Sequence, residues 1–298
     1  MSKLQHVLCA VDFSPTSIGA LDYATLLARK DDAALHVVHV CPLLIAPYSE
    51  GGALVPGHVE AQIQASAERS LREVLEAHRD AAVVAESHVA VGAPADAIVR
   101  DCEHLCCDLV VVGTTGKTGL TRLLIGSVAE RVLRTSPVDV LAVPTAVAHA
   151  PAKRIRSIVV AVDFSAPAEV AFLSALALAR KHDATLHVVH AWEPAAYSVQ
   201  GSELALSYDR EIARDLEALV HRHPVAGITV SRHVRRGVPY VEIAALAGEL
   251  GADLVVVGTT GRTGLEHFLL GSVAERVVRA SSVPVLTVRR REGARAPC

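Results

Sequence analysis

Gly113, Gly116, Gly126 and Ser127 form a spaced set that suits a phosphate-bearing ligand, and Gly258, Gly261, Gly271 and Ser272 repeat the spacing. Each set lies in a segment that recurs almost letter for letter: DLVVVGTTGKTGLTRLLIGSVAERVLR at 108–134 and DLVVVGTTGRTGLEHFLLGSVAERVVR at 253–279. The apolar run reads as a strand ending in a glycine turn, and the later Gly-Ser step reads as the start of a helix. Amides at a helix start lack intrahelical partners and the helix dipole is positive there, so the element can hold an anion with no basic side chain. Gly113 and Gly116 would let the backbone after the strand approach a ligand, and Gly126 would do the same for the Ser127 and Val128 amides. A polyphosphate would then be gripped from two sides, with Val273 standing where Val128 does in the second copy. Tight-turn packing is the competing explanation of the glycines, and SVAE at 127–130, repeated at 272–275, also reads as a capping box.

Asp12 and Asp163 are the second chemical feature, each within VDFS at the end of an apolar run. A carboxylate there can accept from a ribose hydroxyl or hold a divalent cation indirectly. It reads equally well as a turn that caps the helix beginning near Ser14 or Pro15. Two familiar phosphate motifs fail: GKT at 116–118 lacks the P-loop glycine at position 111, which is Val, and no strand leads into GxGxxG. Lys117 and Arg262 either screen phosphate charge or are solvated surface residues. His36 with His39, and His187 with His190, lie three apart on strands and point to opposite faces, so neither pair chelates one ion. Cys102 and Cys106 share a helix face, which allows a redox or metal pair, although buried thiols are the simpler account.

The elements that must position these residues alternate. Strands are expected at Leu4–Val11, Leu35–Val40, Val83–Val91, Leu109–Val112 and Val138–Val143, with helices at about Ser14–Lys30, Val59–Arg79, Pro94–Leu105 and Ser127–Thr135. The second half repeats the strands at Ile155–Val162, Leu186–Ala191, Ile228–Arg235, Leu254–Val257 and Val285–Val288. Such alternation predicts an α/β fold of two tandem Rossmann-like domains, each a mostly parallel sheet flanked by helices, at 1–147 and 154–291. The offset between copies falls from 151 at Asp12/Asp163 to 145 at Gly113/Gly258, a difference that fits the loop after the second strand. The linker, VAHAPAK at 147–153, is short enough to favour an intramolecular pseudo-dimer.

Composition excludes other classes. A net charge of -3 with 3% aromatic residues gives neither the basic footprint nor the stacking platforms of a nucleic-acid binder. No uninterrupted apolar run reaches the roughly 18 residues of a membrane span, and Asp12 interrupts the first one. A soluble cytoplasmic protein without membrane or nucleic-acid partners is expected.

The VDFS strand end, the HV of the second strand and the GTTG…GS element together resemble the universal stress protein family, in its nucleotide-binding branch and tandem two-domain form. The motif Gly-x2-Gly-x9-Gly-Ser/Thr is met in both halves, and the resemblance covers nearly the whole chain. It implies a five-stranded parallel sheet of order 3-2-1-4-5 in each domain, with ATP, often with Mg2+ or Mn2+, across the switch point. By position, Asp12 and Asp163 would approach ribose or phosphate, and Val40 and Ala191 would recognise adenine through their backbone. Gly113, Gly116, Gly126, Ser127 and Val128 would hold ribose and phosphates, as would Gly258, Gly261, Gly271, Ser272 and Val273. The resemblance also makes the final strands, 138–143 and 284–288, candidate edges for pairing of domains or for a homodimer of chains. An ATP-binding stress-response regulator with a protein partner of unspecified identity is the leading function. A slow ATPase or nucleotide-transferring enzyme is the alternative, and an interaction scaffold without nucleotide is a third.

Overall fold

The structure, a computed structural model, describes residues 3–42, 57–78, 84–115, 125–147, 154–194, 203–259 and 270–289. Two compact units divide the chain, one of them Leu4–Pro151 and the other built on Ala152–Cys298. In the first, β1 (His6–Ala10), β2 (Ala34–Cys41), β3 (Val84–Val91), β4 (Leu109–Gly113) and β5 (Asp139–Val143) alternate with α1 (Pro15–Asp31), α2 (Gly57–Ala77), α3 (Pro94–His104) and α4 (Ser127–Thr135). In the second, β6 (Ser157–Ala161), β7 (Thr185–Trp192), β8 (Val230–Arg236), β9 (Leu254–Gly258) and β10 (Val285–Val288) alternate with α5 (Ala166–His182), α6 (Glu203–His221), α7 (Pro239–Glu249) and α8 (Ser272–Ala280).

Strand order is β3-β2-β1-β4-β5 in the first unit and β8-β7-β6-β9-β10 in the second. The neighbours within each unit pair in parallel, which is the 3-2-1-4-5 order the resemblance implies. Helices cover such a sheet on both faces, so its central strands must be apolar throughout instead of alternating. Val7, Leu8 and Cys9 of β1 and Leu109, Val110 and Val111 of β4 accordingly have no exposed surface. Both Arg79, the expected end of α2, and the loop that absorbs the length difference fall outside the described residues.

Helix α1 starts where the sequence says it should. Ser14 is its N-cap and accepts from the Ser17 amide at 3.2 Å, with Pro15 at the first helical position. Ser165 caps α5 in the same way. Four cysteines, Cys9, Cys41, Cys102 and Cys107, are buried outside any disulfide. Burial pushes the Cys9 thiol well above its ordinary range, and the nearby Asp22 charge adds to the effect. Cys106 lies beyond the end of α3 in a left-handed conformation at φ 51°, so it does not share a helix face with Cys102.

One side chain in each unit ties the first strand to the fourth. Asp108, just before β4, accepts from the Gln5 and His6 amides at 2.7 and 3.2 Å, while its own amide donates to the His6 carbonyl at 2.8 Å. Asp253 does the same before β9, with the Arg156 and Ser157 amides at 2.7 and 3.0 Å.

Imidazoles lie on the sheet face shared by Val38 and Val40. The rings of His6 and His36 stack at 5.4 Å with Nδ1 of the first 3.1 Å from Nε2 of the second, and His187 and His233 make the same 3.1 Å contact. Around the first pair stand Glu86, 3.6 Å from His36, and His88, which is bonded to Asp101 of α3 at 2.9 Å. Burial holds His36 below the usual imidazole range, His6 lowers it further and Glu86 opposes. Burial also lowers His187 and His233, the latter helped by His187 and Arg235 against Glu249.

Asp108→Ala removes an acceptor from two strand-end amides, and stability to urea should fall by about 1 kcal/mol. Asp108→Asn, which keeps a carbonyl oxygen there, should lose less. His36, His187 and His233, which burial holds below the usual imidazole range, set a pH dependence of known sign. Held neutral in the fold, they bind fewer protons than in the unfolded chain. Their contribution is therefore complete above the unfolded value of about 6.5 and is lost as pH falls toward the lower folded values. Urea midpoints should be lower at acidic pH than at neutral pH, and the double substitution His36→Gln/His187→Gln should narrow the difference.

Candidate functional site

Each unit has a cavity at the carboxyl ends of its central strands, where the strand order reverses. The first, of about 340 Å³, is lined by Asp12, Val40, Gly113, Gly126, Ser127 and Val128, with Val38 and with Pro94 and Ile98 of α3. The second, of about 230 Å³, is lined by Asp163, Ala191, Gly258, Gly271, Ser272 and Val273, with Val189 and with Pro239 and Ile243 of α7. Every candidate residue within the described set therefore falls in one of two equivalent places. Gly116 and Gly261, together with Lys117 and Arg262, lie outside the described residues.

The two halves of the glycine element meet through their backbones. Gly126 donates its amide to the Thr114 carbonyl at 2.7 Å, and Thr114 in turn donates to the Val143 carbonyl at 2.9 Å. Gly271 bonds to Thr259 at 2.6 Å in the same manner. These bonds bring the start of α4 to the end of β4, and the start of α8 to the end of β9, although many residues separate them in sequence.

The capping-box expectation does not hold. Gly126 and Gly271 are the N-caps, their carbonyls accepting from Glu130 and Glu275 at 2.9 and 3.0 Å, and the serines occupy the first helical position. A glycine cap has no side chain with which to satisfy the first-turn amides. Glu130 and Glu275 instead turn to Arg134 and Arg279, one turn later, at 3.1 and 2.8 Å.

Gly113 has a packing reason as well as a ligand-facing one. A Cβ at this position would lie 3.0 Å from Thr16 Cγ2 and 3.1 Å from the Ser17 nitrogen, so a side chain there would make the first turn of α1 give way at the end of β4. At Gly258 the obstruction is the Pro167 carbonyl oxygen, 3.1 Å away.

Asp12 is not the helix cap, since Ser14 fills that role. Its Oδ1 accepts from the Ser14 amide at 3.0 Å, closing a turn of the type that Asp side chains favour, and the residue lines the cavity. Asp163 accepts from the Ser165 amide at 3.0 Å and from the Ser165 hydroxyl. Between Asp and Ser stand Phe13 and Phe164, both at φ 63°, a left-handed conformation unusual for a bulky residue. Stacking on an imidazole supports each: Phe13 on His39 at 4.3 Å and Phe164 on His190 at 4.9 Å. These four residues were not among the sequence candidates. Their signal was present, because DFS and the strand histidine recur together in both halves.

The arrangement can hold an anion beside a largely apolar wall, with one carboxylate in each described lining. Among the described residues no group of His, Cys, Asp and Glu could hold a metal ion by itself, and no helix is long and apolar enough to cross a membrane.

Known proteins match this chain in both halves. The universal stress protein family matches residues 3–144 and again 154–289. A universal stress protein of Mycobacterium tuberculosis is 29% identical over 297 residues, spanning 96% of this chain and 98% of its own. Universal stress protein A homolog 1 of Coxiella burnetii is 36% identical over 142 residues, which is 47% of this chain and 95% of its own. Among solved structures, a universal stress protein from Archaeoglobus fulgidus shares the fold with a TM-score of 0.68 at 24% identity, covering 96% of this chain and 98% of that one. With two family domains in tandem accounting for nearly all of its length, the chain belongs to the universal stress protein family.

Proposed function

We propose that each unit binds ATP and that the chain acts as a nucleotide-dependent stress-response regulator. The observation carrying this reading is that an aspartate, a strand-end backbone edge and a glycine-capped helix start converge on one cavity, twice. In the proposal the Ser127, Val128, Ser272 and Val273 amides receive the phosphates, assisted by the positive ends of α4 and α8. Asp12 and Asp163 face the ribose or the phosphates. Val40 and Ala191 offer their backbone to adenine, whose flat apolar surface suits walls made by Pro94 and Ile98 or by Pro239 and Ile243. Gly116 and Gly261 belong to the same proposal.

Hard-oxygen chemistry fits Mg2+ or Mn2+ on a bound triphosphate, with the Asp12 or Asp163 carboxylate as the acidic group each described lining contributes. The cation would neutralise phosphate charge. The regulatory half of the proposal rests on family membership, since stress-dependent behaviour is not a property of the pocket alone.

Ser127→Glu and Ser272→Glu give a selective test. An acidic residue in the first turn favours the helix, so the fold should persist, while its charge opposes a phosphate at the same amides. Calorimetry should show each substitution weakening ATP at its own site by about tenfold or more, and the double variant losing both sites. Unaltered affinity in the double variant, or a wild-type protein that takes up no ATP, would overturn the reading.

A further inference from the structure

His39 and His190 lie outside both cavity linings, yet each makes the same contact at the lip of its cavity. His39 Nδ1 is 2.8 Å from the Val11 carbonyl oxygen and His190 Nδ1 is 2.7 Å from that of Val162. A carbonyl only accepts, so both rings carry their proton on Nδ1 and donate it. The carbonyl concerned belongs, in each unit, to the residue just before the pocket aspartate.

Backbone geometry gives this contact a consequence. Along a parallel ladder, alternate residues of a strand direct both their N–H and their C=O toward the same neighbour. The Val38 carbonyl accepts from Val11 at 2.9 Å, and the Val189 carbonyl from Val162 at 2.9 Å, so these residues face β1 and β6. Two positions further along, the backbone groups of Val40 and Ala191 face the same way. The next acceptor they would meet is the carbonyl of Val11 or Val162, and an imidazole already donates to it. Pairing stops accordingly at Ala10 with Val38 and at Ala161 with Val189.

We infer that His39 and His190 are positioning residues that end the ladder early and thereby turn the backbone edges of Val40 and Ala191 toward the purine base. The inference rests on the proposal that these cavities hold ATP. An N–H beside a C=O matches adenine, which presents a ring nitrogen acceptor next to an amino donor. Guanine presents a carbonyl acceptor next to a ring N–H donor, so on the same edge its pattern is reversed. The histidines therefore govern base selectivity more than phosphate affinity. Phe13 and Phe164, stacked on the same rings, keep the imidazoles seated on the carbonyls.

The experiment compares ATP, GTP and inorganic tripolyphosphate by calorimetry on the full chain and on the double variants His39→Ala/His190→Ala and His39→Asn/His190→Asn. Wild type should prefer ATP over GTP by about tenfold or more, the scale of a mispaired hydrogen-bonding edge. The Ala variant should lose most of that preference while holding tripolyphosphate as wild type does. The Asn variant, whose side-chain amide can donate near the Nδ1 position, should recover it. Equal weakening of ATP and GTP with the ratio preserved, or no preference in wild type, would overturn the inference. Should the Ala variant fail to fold, wild type decides: the Val40 and Ala191 amide resonances should move with ATP and stay in place with tripolyphosphate. Amides that ignore both ligands, while ATP still binds, also overturn it. Failure of wild type to bind either ATP or tripolyphosphate sinks the ATP proposal instead.

Discussion

Parallel pairing of β1 with β4 is the contact on which the first cavity depends, and β6 with β9 repeats it for the second. These strands are distant in sequence, and the order of the sheet reverses between them, so the loops leaving their carboxyl ends part and open a crevice. Register does the rest. Ala10 stands opposite Val112, which puts Asp12 and Gly113 at neighbouring ends of the two strands. A slip of one residue would turn every side chain of β1 to the other face and take His6 away from His36. Asp108 and Asp253 hold that register at the opposite end, where each carboxylate accepts from the first amide of β1 or β6 and from the amide of the residue before it.

Gly113 shows why packing and ligand binding are poor alternatives here. The missing Cβ lets α1 descend onto the end of β4 near Thr16, and the descent fixes the turn from Asp12 to Ser14 that supplies the pocket carboxylate. The same glycine leaves its own backbone on the cavity wall. One close approach therefore serves both the helix packing and the cavity wall, and a side chain at 113 would press on Thr16 and Ser17 of α1.

The strands and helices were legible because parallel α/β sheets write themselves as apolar runs separated by helical periodicity. Ser127–Thr135 and Val285–Val288 match to the residue. The place of the two cavities was legible too, because glycines and aspartates mark the strand ends where the topology opens a crevice. What escaped notice was which neighbour a side chain reaches. SVAE has the pattern of a capping box, but sequence cannot say whether the chain turns into the helix at Gly126 or at Ser127, and the bond from Gly126 to Thr114 decides for the glycine. For His39 the sequence argument asked whether it could share an ion with His36. The two side chains do face opposite sides of β2, but the spacing along one strand carries no trace of the Val11 carbonyl across the β1–β2 boundary. Phe13 is less legible still, since nothing in its own segment marks a phenylalanine for a left-handed conformation, and the imidazole it stacks on lies on β2.

Comparison of the two units separates what the backbone does from what side chains do. The devices that shape the main chain repeat: the glycine cap, its bond to the strand-end threonine, and the Asp and His side chains that bond to the backbone beside them. The surrounding side chains have changed partners. Arg131 of α4 pairs with Asp96 of α3 at 2.8 Å, whereas its counterpart Arg276 lies over the Tyr240 ring at 5.6 Å. His36 takes its imidazole partner from β1 and His187 takes its from β8. Ser17 lines one cavity where Ala168 lines the other. A ligand read mainly by amides and carbonyls places few demands on side-chain identity, because every residue type carries the same backbone groups. Under the proposed function only the backbone of Val40 and Ala191 would face the base, so the change of side chain between them would cost little and the walls would be at liberty to drift, provided the turns that aim the backbone are kept.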